Sequence, residues 1–348
     1  EAARRKGARI LGPNTLGVWV PATGLNTIFV KQEASFTGGT ISFITQSGSV
    51  GVVSTDNASL AGFRLGAFVG LGNKCDLDEL DFLEYFGKDE NTKTIMLYLE
   101  SFNDGKKLMK LCSEITLRKP VVILKAGRTA RGSSAASSHT GKLAGSDLVV
   151  DAAIRQSGCI RANDDEELVD FAKVLDMARP LRGNRIAVVT SAGGYGVMAT
   201  DYIESDEFGV GMRMATFSEQ TKAKLREVVF SFASVGNPID LTATCDNSTY
   251  DKVLSILQEE EDVDAILCVT FFQPALLTPD LLNIVAKHAV SGRKPLVALT
   301  IGGTEALKHL QKFTELGVPA FNSTRRAIKA LQALYLRGQY LIKKGVVF

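Results

Sequence analysis

Ile41-Ser42-Phe43-Ile44-Thr45-Gln46-Ser47-Gly48-Ser49-Val50-Gly51-Val52-Val53-Ser54-Thr55-Asp56 reads as a short apolar strand, a turn of glycine and hydroxyl residues, and the first turns of a helix. Strand, tight turn and helix in that order begin a βαβ unit. The stretch has a second copy. Ile186-Ala187-Val188-Val189-Thr190-Ser191-Ala192-Gly193-Gly194-Tyr195-Gly196-Val197-Met198-Ala199-Thr200-Asp201 lies 145 positions on, with seven identities in sixteen positions. A second echo pairs Lys119-Pro120 through Gly127 with Lys294-Pro295 through Gly302, 175 apart, so the later copy carries an insertion. The chain therefore holds two copies of one doubly wound unit.

Outward from these turns, β-branched runs alternate with helical patterns, as in parallel sheets buried on both faces. Strands are expected near 40–45, 65–71, 94–99 and 120–125, with helices at 49–61, 78–87, 105–117 and 144–158. The second half yields strands at 185–190, 211–215, 264–269 and 295–300 and a last helix over 323–343. The joint falls at Arg179-Pro180-Leu181-Arg182-Gly183-Asn184, where proline and glycine interrupt the pattern.

Each glycine-rich turn aims backbone N–H groups and the positive end of a helix dipole at whatever lies above it, and phosphate is a common occupant. Glycine for close strand-to-helix packing is the competing explanation of each copy. The segment Gly194-Tyr195-Gly196-Val197-Met198-Ala199 formally matches a dinucleotide fingerprint, but the next strand, Gly211-Met212-Arg213-Met214-Ala215, lacks the ribose-binding acid. A nicotinamide oxidoreductase is thus a minor alternative. Walker, H-E-x-x-H and G-x-S-x-G patterns are absent.

A length of 348 residues suits two domains, and 45% hydrophobic with 22% charged residues is a globular composition. A net charge of +2 gives no electrostatic reason to expect nucleic acid or an acidic membrane surface, and no apolar run approaches a membrane span. Cys75, Cys112, Cys159, Cys245 and Cys268 are scattered and odd in number, which reads as reduced thiols of a cytoplasmic protein without metal-ligand spacing. The chain opens at Glu1 without a methionine and is expected to be part of something longer.

His139 is one of three histidines and sits in Gly127-Arg128-Thr129-Ala130-Arg131-Gly132-Ser133-Ser134-Ala135-Ala136-Ser137-Ser138-His139-Thr140-Gly141. This small-residue stretch is expected to form a loop rather than a helix or strand. Glu100 ends the strand 94–99 at the carboxyl edge of the sheet, and the His139 loop leaves the next strand from the same edge. A carboxylate that fixes one ring nitrogen leaves the other available as a nucleophile. Two plainer readings stand beside this one: an idle solvated imidazole, and a strand-end carboxylate paired with a surface lysine. His288 and His309 are expected on solvated helix faces, as are the Lys-Glu mixture of 218–227 and the acidic run 259–262.

Taken in order, Gly12-Pro13-Asn14-Thr15-Leu16-Gly17, Thr45 to Ser49, Gly70-Leu71-Gly72-Asn73-Lys74-Cys75-Asp76, Tyr98-Leu99-Glu100, Lys119-Pro120 to Thr129, Ser138-His139-Thr140-Gly141 with Ala144-Gly145, and Gly236-Asn237-Pro238-Ile239-Asp240-Leu241-Thr242 form a specific set. Over nearly its whole length the chain resembles the NDP-forming acyl-CoA synthetases, close to the ADP-forming acetyl-CoA synthetases and more distantly the succinyl-CoA synthetases. The resemblance implies two tandem flavodoxin-like α/β domains, at 37–180 and 184–348, after the tail of a CoA-binding Rossmann domain and linker at 1–36. It implies a phosphohistidine at His139, oriented by Glu100. The helix starts Ser47-Gly48-Ser49 and Ala192-Gly193-Gly194 correspond to the family's paired N-termini that hold the phosphoryl group from both sides.

Substrates implied by the resemblance are CoA, an acyl acid, phosphate and ADP or ATP, with Mg accompanying the nucleotide on an ATP-grasp domain or subunit that the chain lacks. No metal is expected on the chain itself, and an oligomer is expected. Asn73, Lys74 and Asp76 border an acyl pocket in one reading; in the other, Asp76 and Asp78 cap the helix at 78–87. The Asn237-Pro238-Ile239-Asp240 segment carries no role derivable from sequence. A regulatory module built on the same fold is the alternative function, disfavoured by retention of both His139 and Glu100.

Overall fold

The strand Ile41–Thr45 is buried at every position, as a strand flanked on both edges and covered on both faces must be. The computed structural model describes residues 1–30, 38–140, 146–208 and 211–348, with 137–140 described in their backbone alone. Two units divide the chain, Glu1–Asp176 and Met177–Phe348.

In the first unit the strands are β1 (Val18–Val20), β2 (Leu25–Asn26), β3 (Ile41–Thr45), β4 (Leu65–Gly70), β5 (Thr94–Leu99), β6 (Val121–Lys125) and β7 (Ile160–Ala162). Its helices are α1 (Ala2–Arg5), α2 (Gly48–Leu60), α3 (Glu79–Lys88), α4 (Gly105–Ile115), α5 (Ala130–Thr140), α6 (Asp147–Gln156) and α7 (Asp165–Met177), the last ending at the division. The sheet runs β2-β1-β4-β3-β5-β6-β7. Strands β3 to β7 are parallel, whereas β1 and β2 add an antiparallel hairpin at the β4 edge, with Trp19 opposite Phe68.

The second unit contains β8 (Arg185–Thr190), β9 (Arg213–Met214), β10 (Ile239–Asp240), β11 (Ala265–Phe271), β12 (Leu296–Ile301) and β13 (Ala320–Phe321). Its helices are α8 (Gly193–Ile203), α9 (Glu219–Val228), α10 (Asn247–Glu259), α11 (Leu281–Ser291), α12 (Gly303–Glu315) and α13 (Thr324–Lys343). The order β10-β8-β11-β12-β13, with β9 also on β8, is wholly parallel. In both units the first parallel strand lies inside the sheet, between its successor in sequence and the strand that follows by crossover. That reversal is the switch point where open α/β sheets hold ligands.

The sequence repeat is a structural repeat at atomic detail. Thr45 Oγ1 donates to Ser47 O at 2.8 Å, and Thr190 Oγ1 donates to Ala192 O at 3.0 Å. One turn into each helix, Thr55 and Thr200 bond back to Gly51 and Gly196. A Cβ on Gly51 would lie 2.8 Å from Phe68 Cζ, and one on Gly196 3.1 Å from Thr190 Cγ2, so these glycines serve close helix-to-sheet packing. Helix α2 ends where Gly62 takes φ of +80°, and buried Lys173 donates to Ala61 O at 2.9 Å, a cation on a helix C-terminus.

Two expected elements change. Residues 130–140 are helical rather than a loop, because Thr129 caps the start: its Oγ1 accepts from Gly132 N at 3.0 Å and its carbonyl from Ser133 N at 2.7 Å. Once capped, the alanines and serines of this stretch carry no bar to helix. Strand 211–215 shrinks to Arg213–Met214 behind Gly211, whose φ is +81°. Of the helix expected at 144–158, Asp147–Gln156 is seen, and 144–145 fall outside the described residues.

Candidate active site

Helix α2 begins at the carboxyl end of β3, and Ser47 is its N-cap, its Oγ accepting from Val50 N at 3.4 Å and approaching Ser49 Oγ at 3.2 Å. Among the described residues, the N–H groups of Gly48 and Ser49 have no acceptor, which leaves two donors on the positive end of the dipole. A Cβ on Gly48 would meet only Leu16, at 3.7 Å. Beside this turn a cleft of about 580 Å³ is lined by Ser49, Val50, Tyr98, Arg128 and Thr129, among others.

Glu100 follows β5 and is buried, unlike a strand-end carboxylate paired with lysine at the surface. Tyr98 donates its hydroxyl to Glu100 Oε1 at 3.5 Å, and burial, with the Glu100 carboxylate second, pushes the phenol up to about 12. Gln46 ties the carboxylate's backbone to the α2 turn: its Oε1 accepts from Glu100 N at 2.9 Å and Ser101 N at 3.1 Å. The role of Gln46 escaped sequence reasoning, which saw it only as a turn residue.

His139 belongs to the last turn of α5, and its side chain lies outside the described residues. Helix α5 leaves the carboxyl edge through Gly127-Arg128-Thr129, next to β5 and the α2 turn. The backbone thus brings the His139 helix and Glu100 to one edge.

Asn73, Lys74 and Asp76 separate. Asn73 is exposed, with Oδ1 accepting from Asn14 at 3.4 Å. Lys74, at a left-handed φ of +56°, is turned inward: its Nζ donates to Glu79 at 2.9 Å and Ser101 O at 2.6 Å, with both side chains of the pair 0% exposed. Asp76 caps nothing. Its carboxylate accepts from Arg9 and Ile10 N at 2.9 Å each and from Arg4 at 2.5 Å, in that order of effect holding it well below the usual carboxylate range. Asp78 is the N-cap of α3, paired in a capping box with Asp81. Two motifs of the ordered set meet here, since Gly70 N, Asn73 N, Cys75 N and Leu77 N donate to the carbonyls of Gly17, Pro13, Gly12 and Ile10.

In the second unit Ala192 is the N-cap position of α8, without a side-chain cap. A Cβ on Gly194 would meet nothing within 4 Å, but one on Gly193 would lie 2.4 Å from Asp240 Oδ2. This helix start therefore has a carboxylate at its flank. The Asn237-Pro238-Ile239-Asp240 segment acquires a role: Asn237 accepts from Val188 N at 2.9 Å and donates to Ile186 O and Ala215 O at 2.8 and 2.9 Å, and β10 then pairs with β8. It straps β8 and sets Asp240 beside Gly193.

Of the remaining histidines, only His288 departs fully from a solvated face, and His309 is partly exposed. His288 is buried and bonded to Asp251 at 2.7 Å, joining α11 to α10, and His309 lies 3.9 Å from the Phe272 ring, its imidazole held below the usual range by burial. In the acidic run Glu260 is buried and accepts from Ser218. Four of the five cysteines are buried, Cys75 is exposed, and all are free. Among the described residues, no helix is long and apolar enough to cross a membrane.

Residues 38–175 match the succinyl-CoA ligase like flavodoxin domain, and residues 186–341 the Ligase-CoA domain. The chain is 39% identical, over 96% of its length and 71% of the relative's, to the alpha subunit of acetate–CoA ligase [ADP-forming] I of Pyrococcus furiosus. It is 37% identical to acetate–CoA ligase [ADP-forming] I of Archaeoglobus fulgidus, of which it spans 47%. The solved dinucleotide-forming acetyl-coenzyme A synthetase 1 of Candidatus Korarchaeum cryptofilum, in complex with phosphate and ADP, superposes with a TM-score of 0.88 at 32% identity, covering 99% of this chain and 75% of that one. The chain belongs to the family of ADP-forming acetate–CoA ligases, whose alpha subunits it matches across both units.

Proposed function

We propose that the chain is the phosphohistidine-bearing portion of an ADP-forming acyl-CoA synthetase that acts on acetyl-CoA-like thioesters. In the ATP-forming direction, a phosphate oxygen attacks the thioester carbonyl, the C–S bond breaks, and acyl phosphate and CoA result. An imidazole nitrogen of His139 then attacks phosphorus; the P–O bond to the acyl group breaks, releasing the carboxylate. Finally ADP takes the phosphoryl group from His139, giving ATP and the neutral ring.

The observation that carries this reading is the Gln46 link, which holds Glu100 against the start of α2, at the edge where the His139 helix leaves. Glu100 accepts from one ring nitrogen and leaves the other as nucleophile. The N–H groups of Gly48 and Ser49, with the α2 dipole, stabilise the phosphoryl oxygens. Ser49 adds a hydroxyl. In the second unit the start of α8 at Ala192-Gly193-Gly194 serves phosphate too, with Asp240 limiting how much negative charge it accepts. Asn73, exposed on the loop after β4, is the member of its trio suited to the acyl group. CoA is held by a CoA-binding domain whose tail and linker fall within 1–36, and the nucleotide by an ATP-grasp partner.

The test supplies the chain with its CoA-binding and ATP-grasp components and follows acetyl-CoA, phosphate and ADP. His139→Ala is expected to release CoA and accumulate acyl phosphate, seen directly by phosphorus NMR, without ATP. ATP formation by His139→Ala at the parent rate contradicts the reading, and an inactive parent under the same conditions favours a regulatory module.

A further inference from the structure

Gln46 spends its whole side chain on one short piece of backbone. It is buried, its Oε1 accepts from the N–H groups of Glu100 and Ser101, and its Nε2 donates to Ser101 Oγ at 3.1 Å. Two main-chain donors on one oxygen fix which end of the amide is which. Its own N–H continues the sheet by donating to Tyr98 O at 3.0 Å. From the other side, Lys74 Nζ donates to Ser101 O at 2.6 Å and pairs with Glu79, whose Oε1 accepts from Asn103 N at 3.1 Å. The peptide after β5 is therefore bonded at Glu100 N, Ser101 N, Ser101 Oγ, Ser101 O and Asn103 N. Such a segment cannot rotate without breaking buried hydrogen bonds, so the Glu100 carboxylate swings only about its own side-chain torsions. Gln46 is also the residue before Ser47, the N-cap of α2. One side chain thus sets the spacing between the carboxylate and the helix start.

We propose that Gln46 is a positioning residue for phosphoryl transfer, holding Glu100 in register with the α2 turn, and that the buried Lys74–Glu79 pair backs it through Ser101. This rests on the reading in which Glu100 orients His139. Gln46 itself touches no reacting atom. Its loss lets the carboxylate drift by a fraction of an ångström to an ångström, which costs about 10- to 100-fold in rate.

The experiment measures single-turnover phosphorylation of the chain by ATP, in the presence of the ATP-grasp component, for the parent, Gln46→Met, Glu100→Gln and the double variant. Gln46→Asn, which keeps the amide but loses its reach, replaces Gln46→Met if that variant is not folded by Trp19 fluorescence. The expected result is a 10- to 100-fold loss in Gln46→Met and a double variant no slower than Glu100→Gln. The acid limb of the pH profile moves to lower pH in both single variants, because an imidazolium that loses its carboxylate deprotonates more easily. A slow Glu100→Gln beside a parent-like Gln46→Met, additive losses in the double variant, or an unmoved acid limb in Gln46→Met overturns the proposal alone. A parent-like Glu100→Gln overturns the reading of Glu100 and this proposal with it.

Discussion

Replacing Lys74 by methionine strands a carboxylate. Lys74 and Glu79 are both fully buried, 2.9 Å apart, and Glu79 also accepts from Asn103 N at 3.1 Å. Removing the cation from a buried pair leaves an uncompensated charge, at about 3–5 kcal/mol, and the carbonyl of Ser101 loses a donor as well. For a unit the size of Glu1–Asp176, each kcal/mol corresponds to about 2–4 °C, so melting should fall by about 6–20 °C. Trp19, the single tryptophan, lies on β1 of the same unit and reports its unfolding without interference from the second. Glu79→Gln added to Lys74→Met removes the stranded charge and keeps an acceptor for Asn103, and should recover at least half the loss. A cost below about 1 kcal/mol for Lys74→Met, or a double variant less stable than the single, would show that no charge is stranded.

Three further outcomes follow from other parts of the molecule. Gly51→Ala should cost about 1–3 kcal/mol in denaturant unfolding, since its Cβ would press on Phe68 and Thr45, while Gly194→Ala, with open space around it, should be neutral or stabilising by up to about 1 kcal/mol. Asn237→Ala, which deprives Val188 N of an acceptor and two carbonyls of a donor, should destabilise the second unit by about 2–4 kcal/mol in the same assay. Asp76 has a depressed pKa, so its contribution is complete above the ordinary carboxylate value of about 4 and is lost only as pH falls through the lower folded value. Carboxyl NMR should therefore show Asp76 titrating below the other carboxylates, and Arg9→Gln should bring it back toward them.

What could be read from residues alone was the repeat and the material at each strand end. Thr45 and Thr190 stand 145 positions apart and make the same turn, so identity at those positions was already a structural statement. The antiparallel hairpin of β1 and β2 escaped notice because strands of three and two residues carry no usable period. Small residues signal turns, so the α5 stretch reads as a loop, whereas the deciding feature is the cap at Thr129. Long-range pairing explains the other gaps. Nothing local in Lys74 announces a buried ammonium, nothing in Gln46 announces two main-chain partners 54 and 55 positions away, and His288 is buried by α10, not by its own helix. The family motifs at Gly12 and Gly70 were visible one by one, but that they bond to each other is a property of the fold.

In the proposed reaction the phosphoryl group travels on His139. With the ATP-grasp component and ATP labelled at its terminal phosphate, mapping the label on the chain tests this directly. Acid-labile, alkali-stable phosphate is expected on the peptide containing His139, and none in His139→Ala. Label on any other residue, or undiminished label in His139→Ala, contradicts it.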